Sequence, residues 1–141
     1  MSSTIIPCLR YRDAPAAIDF LCRAFGFEAQ AVYNDPGDPS LVDHAQLTYG
    51  SGMVMLGSVR ADTSFGSHMI QPDETGGRET QCACVTVTNV RAHYDIAKAA
   101  GAVIVDDYQE KDYGGAGYAA RDPEGHLWYF GSYDPWVPPG D

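Results

Sequence analysis

The sequence predicts an α+β fold made of two copies of one strand–helix–strand–strand–strand module. Three observations point there. Two stretches share one grammar at an offset of 76 residues, so that Asp13 falls on Asn89, Ile18 on Tyr94 and Asp19 on Asp95. Each has a short strand-like run, a capping residue and an amphipathic helical segment. Each then continues as extended chain broken by tight turns.

In the first module the opening run is Ile5-Ile6-Pro7-Cys8-Leu9-Arg10-Tyr11. Asp13 follows as a helix N-cap, its carboxylate placed to accept from the free N–H groups of the first turn. Pro15 stands in that first turn, where a missing N–H costs little. Ile18, Leu21, Cys22 and Phe25 recur at helical spacing and make one apolar stripe, and Gly26 supplies a left-handed stop. Strands are expected at 28–33, 44–49 and 53–57, the last two joined at Ser51-Gly52. Residues 59–80 form a polar, Gly-rich connector carrying Phe65, His68, Met69 and Pro72, and a connector of that length often has a role of its own.

The second module opens with Cys82-Ala83-Cys84-Val85-Thr86-Val87. Asn89 is its cap, Val90, Tyr94 and Ala97 its helical stripe, and Gly101 its stop. Strands follow at 102–106, 118–121 and 127–131. The last two are joined by Asp122-Pro123-Glu124-Gly125, in which Pro fixes φ and Gly accepts a positive one. Met55-Leu56-Gly57-Ser58 parallels Tyr129-Phe130-Gly131-Ser132, which sets the register of the repeat. Module one thus spans about 4–58 and module two about 81–133. A tail at 134–141 carries Trp136 as its one large aromatic anchor.

Composition bounds the function. With 9 Lys and Arg against 19 Asp and Glu, the net charge of −10 repels phosphate backbones and anionic lipid. Nucleic acid and membrane surfaces are therefore not expected partners. The N-terminal residues lack a basic patch and an apolar core, so a cytoplasmic location is expected. The four cysteines are expected as free thiols, because the chain has enough apolar residues to build a core without staples.

Certain motifs go further. Arg12-Asp13-Ala14-Pro15-Ala16-Ala17-Ile18-Asp19-Phe20 is followed by Phe25-Gly26-Phe27. Tyr113-Gly114-Gly115-Ala116-Gly117-Tyr118 precedes Arg121-Asp122-Pro123-Glu124-Gly125-His126-Leu127-Trp128. Together these resemble the vicinal oxygen chelate superfamily, also called the glyoxalase / bleomycin-resistance / dioxygenase superfamily, over nearly the whole chain. The resemblance implies paired mixed sheets around a concave cavity, helices on the convex side, and a homodimer. Catalytic members hold a divalent metal with one side chain from the first and one from the last strand of each module. Carried onto this sequence, those positions are Ile6, Met55, Cys82 and Tyr129; the 76-residue offset relates Ile6 to Cys82 independently. Glyoxalase-type members need His, Gln or Glu there, because such metals take imidazole nitrogen and carboxylate oxygen. Ile6 and Met55 offer no such donor, and a Tyr129 phenol ionises only near ~10. The expectation is therefore a protein with no metal cofactor.

Strand parity completes the picture. If Tyr129 faces the cavity, Trp128 and Phe130 lie beneath the helices, and Cys82, Cys84 and Thr86 share the cavity face with Met53, Met55, Ile6 and Cys8. Such a lining is apolar, sulfur-rich and edged by a phenol, which suits a hydrophobic or aromatic ligand. Tyr113, on its Gly-rich loop, is a rim or lid candidate. The alternative is that these side chains fill the cavity themselves.

Other constellations are weaker. Cys82-x-Cys84 is half of a zinc motif without a second pair, and a thiolate nucleophile there needs a base that the sequence does not reveal. His126 reads as a turn-packing histidine and His93 as a partly exposed helix residue. Asp106, Asp107, Glu110, Lys111 and Asp112 read as a solvated loop. Nucleophile-elbow, phosphate-loop and dinucleotide fingerprints are absent. The leading expectation is a binder resembling the bleomycin-resistance branch, sequestering a drug-like or secondary metabolite by reversible burial. The alternative is a metal-dependent or metal-free lyase, isomerase or dioxygenase of the same superfamily.

Overall fold

The computed structural model describes residues 2–112 and 114–138. Its elements run β1 (Cys8–Tyr11), α1 (Ala14–Phe25), β2 (Glu28–Asp35), β3 (Asp38–Tyr49), β4 (Gly52–Ser58), β5 (Ala83–Thr86), α2 (Val90–Ala99), β6 (Val103–Glu110), β7 (Ala116–Arg121) and β8 (Leu127–Gly131). They form two four-stranded sheets with matching strand order, β1-β4-β3-β2 and β5-β8-β7-β6. In each, the first strand runs parallel to the last and the other pairs are antiparallel. The α+β fold of two βαβββ modules is therefore present as the repeat predicts. Among the described residues, no helix is long and apolar enough to cross a membrane.

The helix ends form where the caps stand. The Asp13 carboxylate accepts from the Ala16 N–H and the Asn89 side chain from the Ala92 N–H. Gly26 closes α1 at φ +83°, a backbone that favours glycine. Strands β2, β3 and β6 run longer than the apolar alternation indicates. Asp38, Pro39 and Ser40 on β3 and Asp106, Asp107 and Glu110 on β6 are exposed residues on paired strands. The acidic run at 106–110 is thus strand and not the expected loop; an edge strand tolerates charge on both faces because only one side of it is paired. Within that run Asp107 accepts from the Tyr94 hydroxyl, which holds its carboxyl below the usual range.

One core serves both modules. Leu47, Val54 and Leu56 from the first sheet and Tyr118, Trp128 and Phe130 from the second join the inner faces of α1 and α2 in a single buried cluster. The two helices pack on each other. Phe25, at the end of α1, reaches across to the second sheet, its ring 4.6 Å from Phe130 and 5.7 Å from Trp128. On α1 the buried side chains are Ala14, Ala17, Phe20, Leu21, Ala24 and Phe25, a broader face than the four-residue stripe, with Ile18 and Cys22 at its margin.

Polar contacts lock the modules at the other end. The Glu124 carboxylate, on the β7–β8 turn, accepts from the backbone N–H of Arg12 at 2.6 Å and of Asp13 at 2.8 Å. Buried Asp122 accepts from the Tyr11 hydroxyl at 2.6 Å and from the Trp128 indole N–H at 3.1 Å. Burial pushes that carboxyl's pKa up, against the pull of these donors. His126 packs edge-on against Tyr11, with Nε2 2.8 Å from the Arg10 carbonyl and Nδ1 3.2 Å from Glu79. It is a packing residue, as its place after the turn suggests. The connector adds Gln71, buried, whose amide donates to the Arg10 carbonyl and to Glu124.

His93 is the partly exposed helix residue that the sequence suggests, and its ring also makes contacts between the modules. Its ring is half-buried between modules, Nδ1 2.6 Å from the Tyr118 hydroxyl and Nε2 2.8 Å from the Phe25 carbonyl. The reason is that α2 packs on α1, so a side chain off the Tyr94 stripe still meets a neighbour. Burial lowers its pKa, which keeps the imidazole neutral.

Candidate ligand face

Each sheet turns one face to the shared core, so its other face is open. The strand parity is plain in the burial. Trp128 and Phe130 are fully buried, while Tyr129 between them is half-exposed on the outer face. Val54 and Leu56 are buried, while Met53 and Met55 lie half-exposed. Cys8 pairs with Met55 across β1–β4, and Cys84 with Tyr129 across β5–β8. These two rows are equivalent in the repeat. Ile6 stands just ahead of β1 and is half-buried; Cys82 stands just ahead of β5 and is exposed, as are Cys8 and Cys84. Tyr113 lies outside the described residues. The expected lining therefore falls into two groups on two sheets: Ile6, Cys8, Met53 and Met55 on one, Cys82, Cys84 and Tyr129 on the other.

On the second sheet glycines shape the floor. A Cβ on Gly117 would collide with the Tyr129 hydroxyl, and one on Gly131 would lie 3.0 Å from the Tyr129 ring. The phenol therefore occupies the space that the missing side chains of Gly117 and Gly131 leave. A hollow of about 590 Å³ opens beside it, bounded by Asp106, Gln109 and Lys111 of the β6 side and by Gly117 and Tyr129. The Cys84 thiol is pushed up by burial and by Cys82, so it stays protonated at neutral pH, the opposite of an activated nucleophile.

The first sheet is more polar than the sulfur-bearing residues imply. His44 Nε2 lies 2.9 Å from Gln46 Oε1, and the Gln46 amide donates to Gln30 at 2.6 Å. Tyr33 stacks on His44 with ring centroids 6.1 Å apart. The alternation His44, Gln46, Thr48 against buried Ala45 and Leu47 carries this signal in the sequence. Arg10, two residues beyond Cys8, shares this face. Its guanidinium lies across β4, where a Cβ on Gly57 would sit 2.6 Å from Nη1.

The donor set can be tested against a metal. The four positions to which the resemblance carries the family's ligands hold isoleucine, methionine, cysteine and tyrosine, and among the described residues no three His, Cys, Asp or Glu side chains converge. These residues do not fit a hard divalent ion.

A family model described as the Glyoxalase/Bleomycin resistance protein/Dioxygenase superfamily matches residues 5–130. The chain belongs to this superfamily. Among relatives of this glyoxalase-like chain, the uncharacterized protein Rv0887c of Mycobacterium tuberculosis is 33% identical over 125 residues, 89% of this chain and 71% of the relative. The protein Mb0911c of Mycobacterium bovis is also 33% identical, over 80% of its length. Among solved structures, TioX from Micromonospora sp. ML1 superposes with a TM-score of 0.70 at 32% identity, covering 92% of this chain and 98% of its own. The fosfomycin resistance protein FosX from Listeria monocytogenes shares the fold, with a TM-score of 0.67 at 13% identity, over 96% of this chain and 97% of FosX.

Proposed function

We propose that this glyoxalase-like protein reversibly buries a small organic molecule with an apolar or aromatic body, and that a second copy of the chain completes the cavity. The observation that carries this reading is the outer face itself. At the family's four metal positions it presents Ile6, Met55, Cys82 and Tyr129, side chains that offer contact area and polarizability in place of hard donors. Tyr129, in the space that Gly117 and Gly131 leave, offers a ring for a planar group to stack on. A ligand there gains by leaving water, and the polar side chains that border the lining, among them Gln46 and Gln109, are available to orient it. The open state of both faces supports the second copy: each is half a cavity, and exposed thioether and thiol surface gains from being covered.

Fluorescence titration with the neutral aromatic probe N-phenyl-1-naphthylamine tests this. Saturable binding is expected. Tyr129→Ala is expected to weaken it by about 1–3 kcal/mol, the scale of one lost aromatic contact, with the melting temperature held. Absence of saturable binding, or binding indifferent to Tyr129, overturns the reading.

A further inference from the structure

We infer that Arg10 is the anchor for an anionic group, so that the ligand of this face is an aromatic molecule bearing a carboxylate or sulfonate. The inference rests on the reading of the outer face as a ligand site and adds its charge.

Arg10 lines a hollow of about 430 Å³ between β1 and the connector, together with Arg12, Arg60, His68, Gln71 and one carboxylate, Glu74. The other two arginines there are already engaged. Arg60 is bound by Asp35 at 2.9 Å and Asp43 at 2.8 Å, and Arg12 by Asp73 at 2.7 Å with Glu74 at 3.5 Å. Arg10 has no such partner among the described residues. Its Nε is buried without an acceptor. Its one side-chain partnership is with Phe65, whose ring lies 5.8 Å from Cζ. With Nε closed off, the two Nη nitrogens are the groups left to take a carboxylate or sulfonate through two bonds. In a chain of net charge −10, a partly buried guanidinium that no carboxylate among the described residues reaches is a cation held for something else.

Its position tells what that is. Gly57 follows Met55 by two residues on β4, and the Arg10 guanidinium lies over Gly57 on the same face as Met53 and Met55. The cation therefore sits about 7 Å along the strand from the Cys8–Met55 row, at its end. An aromatic body on the sulfur-bearing row places a substituent of one or two bonds at the guanidinium.

The test compares two probes with nearly the same ring system: anionic 8-anilinonaphthalene-1-sulfonate and neutral N-phenyl-1-naphthylamine. The wild-type chain is expected to bind the sulfonate at least about tenfold more tightly at low salt. Arg10→Met, which keeps the side-chain stem, is expected to erase that preference and leave the neutral probe's affinity unchanged, while Arg10→Lys retains part of it. Thermal melts of the variants accompany the titrations. If the Arg10→Met chain is unfolded, competition on the wild type decides: sodium sulfate should displace the anionic probe and not the neutral one, relative to sodium chloride of equal ionic strength. Equal wild-type affinity for the two probes, or a preference that survives in Arg10→Met, overturns the assignment of Arg10 alone. If neither probe saturates, the ligand face and the anchor both fall.

Discussion

Neighbouring side chains in β8 carry opposite duties. Trp128 packs between Phe25 and Phe27, with centroids 5.7 and 5.5 Å away, and donates to buried Asp122. Tyr129 points to the other face. Trp128→Ala is expected to cost about 3–5 kcal/mol of stability, since it empties a core site and takes one donor from a buried carboxylate. Denaturant unfolding beside the Tyr129→Ala protein, whose stability should change little, checks the pair; the reverse pattern would show the register to be off by one. The same parity bears on metal. With Ile6 and Met55 at two of the family's ligand positions, dialysed protein is expected to hold far less than one zinc, nickel, iron or manganese ion per chain by elemental analysis. Stoichiometric metal that survives dialysis would contradict this.

At the scale of elements, α2 is held to its neighbours through His93, which bridges Tyr118 on β7 and the Phe25 carbonyl at the end of α1. Its pKa is lowered by burial, so the folded state favours the neutral ring. The unfolded chain binds the proton more readily, and stability is therefore full above the ordinary imidazole value and lost as pH falls through the lowered one. A melting temperature that drops between pH 7 and 5 is expected, with a shallower drop in His93→Gln; equal slopes would place the acid sensitivity elsewhere. Local chemistry made the elements legible. Asp13 and Gly26 bracket α1 and Asn89 starts α2, because caps and stops act within a few residues. The partners of His93 were not legible, since they depend on where the other helix packs. Nor was Arg10, whose lack of an acidic partner among the described residues requires knowing that Asp35, Asp43, Asp73 and Glu74 are all taken by other arginines.

For the whole molecule, the question is what covers the two outer faces. A discrete dimer at tens of micromolar is expected by sedimentation equilibrium, a concentration range that populates even weak pairs. A mixing experiment asks whether one cavity draws on two chains. Met55→Arg should spoil the face of module one and Tyr129→Arg that of module two, each alone abolishing probe binding. If the cavity joins module one of one chain to module two of another, mixed subunits recover up to one intact cavity per dimer. No recovery on mixing would mean that each cavity is built within a single chain.

The junction at Glu124 and Asp122 also sets a timetable for the newborn chain. The Tyr11–Asp122 bond spans 111 residues of sequence, and the N–H groups of Arg12 and Asp13 wait as long for Glu124. At about 5–20 residues per second, Tyr11 is synthesised roughly 5–20 s before the turn that supplies its partner. During that interval Phe25 has no second sheet to cover it, and Tyr11 has no Asp122 to accept its proton. The nascent half-protein is thus sticky at the surface that later becomes core. Until the last strand emerges, that surface has no partner within the chain.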